Sequence, residues 1–510
     1  MQIKLRPAVL AVLGLFVLVG CAPDVSAPKS AGQLISSDLA QLYHPDDLRG
    51  TLSFEDALAR GMKYNLDARV AAYNALAASG DVTLAKLAAL PAMQAKMDYI
   101  GRSNKGAASS LSVLTNTQSL EPSISTEQRR TTQQLALDWN LLDAALSVAR
   151  AKSSSDQQLI MEERRRKVFH SIVQDIYSAY WRAAAAQELR PLVRGLLAQA
   201  DDQIGKIDKG IKAGIVVVSD ARRMKNDLMA KKQQLIELEG QIVFSDLALK
   251  ALIGLPPHAQ LRLNPADVKW ISRQRVPRAG GNMADLEKIA LARRPEVREE
   301  LLNKNIALRD IRLSIFETFP GANIILALNH DNNRFLVDKD WLSITGEISQ
   351  SITKILTAPA RYNKAVNASA LADARRQALL AAVMTEVHIA SARLRYFNSD
   401  YDMVNSIARE KAEDLRRARG FRNAGMSGDT EVVGAALDEG AARINERLAF
   451  AQVSESYGQL LSSLGVDIWT GTSAGMSVPQ IGSRIKQNIA VLEQDVIKGA
   501  YMTEGKQNGL

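Results

Sequence analysis

The residue with the most definite chemistry is Cys21, the only cysteine in a chain of 510 residues. It follows Leu18-Val19-Gly20, a pattern that reads as a bacterial lipobox. In such a signal cleavage falls before the cysteine, whose thiol and new α-amino group are acylated, palmitate among the chains. Lys4 and Arg6 form a positive n-region, and Ala8 to Val19 is an apolar run too short to cross a bilayer as a helix. In lipoproteins of this kind an Asp after the cysteine holds the protein at the inner membrane, so Ala22 points to the outer membrane. The plainer alternative is a secretory signal with an incidental cysteine. A single cysteine forms no intrachain disulfide. His44, His170, His258, His330 and His388 are widely separated, and the chain has no HExxH, CxxC, GxSxG or P-loop. No metal, cofactor or nucleophilic site is therefore expected, and the chain does not read as an enzyme.

The remaining chemistry is electrostatic. The net charge of +9 includes Lys4 and Arg6, which leave with the signal peptide. The basic residues are spread along the chain without interleaved aromatics, whereas a nucleic-acid surface clusters them on one face. Aromatics are 5% of the residues, and the many Ala, Leu, Gln, Glu, Lys and Arg favour helix over a dense aromatic core. No stretch after the signal reaches the length of a transmembrane helix, so any membrane span must be β.

The elements that would carry these charges are written twice. Asn65 to Arg69 leading to Pro91 corresponds to Arg294 to Arg298 leading to Pro320, an offset of 229. Further on the offset is 211: Ala149-Arg150 with Ala360-Arg361, Asp175-Ile176 with Glu386-Val387, Ala213-Gly214 with Ala424-Gly425, and Gly254 with Gly465. The surplus 18 residues of the first half fall within Arg102 to Thr132, whose Ser, Thr, Asn and Gly read as an exposed loop. Each half runs helix, strand, loop, strand, long helix, turn, long helix. Residues 52–90 and 283–319 read as helices stopped by the prolines. Residues of about 143–212 and 359–422 read as helices too long for a compact domain, implying a coiled-coil rod or tube, with Pro191 a candidate kink.

The strands follow each proline, at about 92–101, 133–142, 321–330 and 342–353. Met93, Ala95, Met97 and Tyr99 alternate with Gln94, Lys96 and Asp98. Leu135, Leu137, Trp139 and Leu141 alternate with Gln134, Ala136, Asp138 and Asn140, and Leu342, Ile344, Ile348 and Ile352 with Ser343, Thr345, Glu347, Ser349 and Ser351. Ile324, Leu326 and Leu328 alternate less cleanly with Asn323, Ile325 and Ala327. Period two with one apolar face suits a half-buried soluble strand and a lipid-facing barrel strand equally. Beside the lipobox and the rod-length helices, the barrel is preferred. Four strands cannot close one, and an open edge in lipid leaves backbone groups unpaired, so oligomerisation is expected.

Taken together, the doubled layout, Pro91 and Pro320, the strand-to-helix segments Trp139-Asn140-Leu141-Leu142-Asp143 and Gln350-Ser351-Ile352, the turns Ala213-Gly214-Ile215 and Ala424-Gly425-Met426-Ser427, and Gly254-Leu255-Pro256-Pro257 resemble the TolC family of outer-membrane channels over residues 52–467. Cys21 fits the lipoprotein branch of that family. The resemblance implies a mainly α chain with membrane β: a homotrimer whose four strands per chain build a twelve-stranded barrel above a periplasmic helical tunnel. It also implies docking to a membrane-fusion adaptor and an inner-membrane pump of RND or ABC type. The chain would be the passive exit duct of a tripartite efflux or type I secretion system. In the family the turns between long helices form the periplasmic iris and the adaptor contact. Carried over, Lys212, Arg422, Asp429 and Glu431 are gate candidates, with Gly214 and Gly425 supplying the turn backbone. At a narrow opening, carboxylate rings favour cations and Arg or Lys rings favour anions. The plainer account is that Ser427 is an N-cap and the acids stabilise a first helical turn. Lys96, Asp98, Asp138 and Glu347 are lumen-facing candidates, which wetting of the lumen explains equally well.

The layout divides into a signal peptide at 1–20, an acylated segment at 21–51, a first repeat at 52–255, a linker at 256–282, a second repeat at 283–467 and a C-terminal tail at 468–510. The rival reading is a periplasmic coiled-coil scaffold lipoprotein without a pore.

Overall fold

The structure, a computed structural model, describes residues 31–42, 50–265, 267, 282–469 and 475–498. Cys21, the segment expected to be a signal peptide, and parts of the acylated segment, linker and tail lie outside the described residues. After α1 (Ala31–Leu42), the first half comprises α2 (Phe54–Tyr64), α3 (Leu66–Leu87), β1 (Ala92–Gly101), β2 (Ala107–Ala108), β3 (Ser123–Ile124), β4 (Arg129–Asn140), α4 (Leu141–Lys212) and α5 (Val218–Leu252). The second comprises α6 (Met283–Arg293), α7 (Pro295–Phe316), β5 (Gly321–Asp331), β6 (Asp340–Ser349), α8 (Ile352–Asn423) and α9 (Asp429–Ser463), with α10 (Val478–Lys498) after it.

The repeat holds to the residue. The first residues of α2, α3 and β1 lie 229 before those of α6, α7 and β5, and the bounds of α4 and α5 lie 211 before those of α8 and α9. Two expectations are corrected. The single helix read over 52–90 is two, because Asn65 is extended (ψ 133) and its side chain accepts from the Asp67 and Ala68 amides, ending α2 and capping α3. At the equivalent place Arg294 (ψ 131) ends α6 and Pro295 opens α7. The second correction concerns the loop at 102–132, which carries its own hairpin of β2 and β3.

The long helices α4 and α8 have 72 residues each, about 108 Å at 1.5 Å per residue. Asn140 caps α4, accepting from the Asp143 amide, and Ser351 caps α8, accepting from the Lys354 amide. Pro191 does not end α4; the helix continues through it, held by packing on both sides. The lower part of α4 packs on α5 and α9 through Leu189, Leu196, Leu228, Leu235, Leu437 and Ile444, spaced as in a coiled-coil seam.

The main core surrounds the middle of α4, where α2, α6, α10 and residues 255–263 pack against α4, α8 and α9. An aromatic cluster lies here, contrary to the expectation from composition. Phe54 lies 4.7 Å from Tyr177, 5.3 Å from Tyr180 and 5.4 Å from Trp181, which stacks edge-on to Phe450. The Tyr180 hydroxyl donates to Asp267 (2.7 Å) and Leu52 O (3.0 Å); burial, then the Asp267 charge, push its pKa far above the ordinary value. Each half is closed by a glycine that must approach a neighbour closely. A Cβ on Gly254 would lie 2.8 Å from Tyr64 Cβ, and one on Gly465 would lie 2.7 Å from Arg294 N.

Candidate functional site

The sheet is antiparallel in the order β1-β4-β5-β6. Register aligns its two faces across all four strands. Met93, Leu137, Leu326 and Ile344 form one row of the first face, and Ala95, Leu135, Leu328 and Leu342 the next. This face lies open, with Met93 71% and Ile344 72% exposed. Ile348 and Tyr99 extend it, and Trp139 at its helix end donates from Nε1 to Ala89 O (3.3 Å). The other face carries the row Lys96, Gln134, Asn329 and Trp341, tied by Gln134 Nε2 to Asn329 Oδ1 (3.0 Å) and Asn329 Nδ2 to Ser343 Oγ (2.8 Å). Lys96, Asp98, Asp138 and Glu347 all lie on this polar face. Lys96 pairs with Asp98 at 3.0 Å. Ile325 sits between Asp138 and Thr345, which accounts for the weaker alternation of β5. Among the described residues, β1 and β6 each pair along one side only.

At the far end of the rods, two turns join α4 to α5 and α8 to α9. Both are built alike: the Ile215 amide donates to Gly210 O (3.1 Å) and the Met426 amide to Phe421 O (2.9 Å). Gly214 (φ 66) and Gly425 (φ 74) take the left-handed position these closures require. The side chains differ. Arg422 Nε lies 2.8 Å from Asp429 Oδ1, closing the second tip on itself. Among the described residues Lys212 and Glu431 have no ion-pair partner, and they belong to different tips. Ser427 is not the cap it was expected to be: Gly428 occupies the N-cap position of α9, and the Ser427 Oγ has no hydrogen-bond partner. Unanticipated was the first tip's apolar surface, where Ile215 is 80% exposed beside the half-open Val216, Val217 and Val218. The signal was available, as four consecutive β-branched residues after a turn glycine have no core to enter.

Nor did sequence reasoning find the half-buried group of Arg166, His170 and Asp467 that ties the halves together. Asp467, just after α9, accepts from Arg166 Nη2 (2.8 Å) and meets His170 Nε2 at 2.8 Å. Burial works against the Asp467 charge, but the His170 hydrogen bond and Arg166 outweigh it and hold the carboxyl below the usual range. Arg294, at the α6–α7 break, pairs with Glu296 and Glu386. His388 pairs with Glu287 and His330 with Asp340. Among the described residues no group of His, Cys, Asp or Glu is disposed to hold a metal.

Residues 61–255 match the model of the family described as outer membrane efflux protein. Among curated proteins no sequence matches the chain significantly. Solved structures match over most of the chain. CusC, described for folding and transmembrane channel formation, is 16% identical with a TM-score of 0.60, covering 88% of this chain and 100% of its own. The open-state MtrE outer-membrane channel of Neisseria gonorrhoeae is 15% identical with a TM-score of 0.63, covering 81% of this chain and 89% of its own. The CmeC outer-membrane channel of Campylobacter jejuni is 12% identical with a TM-score of 0.62, covering 91% of this chain and 98% of its own. Residues 61–255 are thus similar to the outer membrane efflux protein family, and the chain as a whole has the fold of the TolC-type outer-membrane channels.

Proposed function

We propose that three copies of this chain form an outer-membrane channel that serves as the passive exit duct of a tripartite efflux or type I secretion system. The observation that carries the reading is the sheet, with an apolar face lying open and an unpaired strand at each edge. In lipid such edges leave backbone groups unpaired at several kcal/mol each, and pairing β6 of one copy with β1 of the next removes them. Three copies supply twelve strands, a closed barrel of ordinary size for this class.

The helices support the same closure. Beneath β1, α3 leaves Val70, Tyr73, Leu76 and Leu84 exposed, and beneath β6, α8 leaves Leu356, Tyr396 and Met403 exposed. These different apolar flanks suit a head-to-tail ring. In it Lys96, Asp98, Asp138 and Glu347 line the lumen, and the long helices wall a periplasmic tunnel. The helical tips lie at its end: Arg422, Asp429, Lys212 and Glu431 set the charge there, and the tips meet a membrane-fusion adaptor. An RND- or ABC-type inner-membrane pump supplies the energy. Cys21 carries the acyl chains at the outer membrane, after removal of residues 1–20 as a signal peptide.

The test is the native mass of the protein extracted from the membrane fraction in detergent. Three acylated chains per particle are expected. A monomer released without detergent would overturn the channel and favour a periplasmic scaffold.

A further inference from the structure

The long helices of the two halves share their bounds at an offset of 211, so each helical position of one is an internal control for the other. At one place they part company. In the second half, Tyr401 of α8 and Tyr457 and Leu461 of α9 are buried in the main core. The residues 211 earlier are Arg190 of α4 and Asp246 and Lys250 of α5. With Gln187, Pro191, Arg194 and Arg262 they line an open cleft of about 530 Å³ beside residues 259–262. What apolar side chains fill in one half is left open and cationic in the other. Helix packing does not require this, since the same helix pair packs without it 211 residues later.

The charges in the cleft are unevenly paired. Lys250, almost wholly buried, is held by Asp246 at 2.7 Å and donates to Pro257 O at 3.2 Å. Gln187 fixes the wall, donating to Leu261 O (2.8 Å) and accepting from the Leu263 amide (3.0 Å). Among the described residues Arg190, Arg194 and Arg262 have no carboxylate partner. Arg190 and Arg194 are one helical turn apart on the same face of α4, and Arg262 lines the same cleft from the segment 259–262. Guanidinium forks match the planar edge of phosphate or carboxylate groups and bind them bidentately.

We infer that this cleft is a binding site for a small anion bearing two or more phosphate or carboxylate groups, held by Arg190, Arg194 and Arg262. Asp246 and Lys250 neutralise one another, which leaves these three guanidiniums to hold the ligand. The inference is independent of the channel proposal, because the whole cleft lies within one chain.

The test is calorimetric titration of the full-length protein in detergent at low ionic strength, with inorganic pyrophosphate in one arm and citrate in the other. Saturable binding of one anion per chain is expected in at least one arm, and the tighter arm identifies the group preferred. Arg190→Gln and Arg194→Gln should each weaken it tenfold or more, with Lys105→Gln in the exposed loop before β2 leaving it unchanged. Absence of saturation in both arms, or equal binding by the Arg190→Gln/Arg194→Gln double variant, overturns the site. So does a double variant with altered native mass, since the arginines would then serve a neighbouring chain.

Discussion

The sheet and the core around the middle of α4 treat apolar residues in opposite ways. In the core, Ile176 and Tyr180 are fully buried within a single chain. In the sheet, Met93, Ile344 and Ile348 stand open, Ile348 at 81%. The core can hold one chain together by itself, whereas the apolar face of the sheet is satisfied only by something outside the chain. Stability and assembly are thus assigned to different regions and should fail separately.

The largest effect is expected in the core. Phe450→Ala removes a ring packed against Trp181 and Tyr401 and should cost about 3–5 kcal/mol, read as a lowered denaturation midpoint of the solubilised protein. A smaller, differently placed loss is expected from Leu137→Arg, about 2–4 kcal/mol if that face meets lipid. Its signature is a lower yield of membrane-inserted oligomer with helical circular dichroism retained. Glu347→Arg, on the polar face, should leave that yield intact. Equal losses from both variants would break the distinction between the faces.

A third test concerns the ion network within the helical region. The Asp467 carboxyl titrates below its ordinary value, so its contribution is present above the unfolded value of about 3.9. That contribution is lost as pH falls through the depressed folded value. Asp467→Asn should therefore lower stability at neutral pH and flatten the acid limb of a urea-midpoint profile. An unchanged acid limb would remove the network from the account. The smallest effect is expected at the tip. The Arg422–Asp429 pair is about half exposed on both sides, so Arg422→Ala should change stability by less than about 1 kcal/mol. If the tips gate the channel, the same variant should shift single-channel selectivity toward cations.

Much of this was readable from particular residues. The alternation of Met93, Met97 and Tyr99 with Gln94, Lys96 and Asp98 is a period-two signal that needs no knowledge of partners. The rods were legible through their length, and Gly214 and Gly425 through the turns they permit. The break at Asn65 was missed because a cap within an otherwise helical pattern carries no change of period. Ser427 was taken for a cap by residue type, but the αL closure at Gly425 carries the chain one residue further before α9 begins. The aromatic core was missed because Phe54, Trp181 and Phe450 are remote in sequence, and a low overall aromatic content says nothing about where they meet.

The sequence by itself determined the doubled register, the order of the long helices and the four sheet strands, and the polar and apolar faces of those strands. These are local periodicities, set by 3.6 residues per helical turn and two per strand repeat. Only the tertiary structure decided that Ala136 pairs with Ala327, that β1 and β6 are the open edges, and that Asp467 returns to Arg166 and His170. It also decided that Arg190, Arg194 and Arg262 share a cleft where the second half has a packed core. Those outcomes depend on contacts between residues far apart in the chain, which no local pattern encodes.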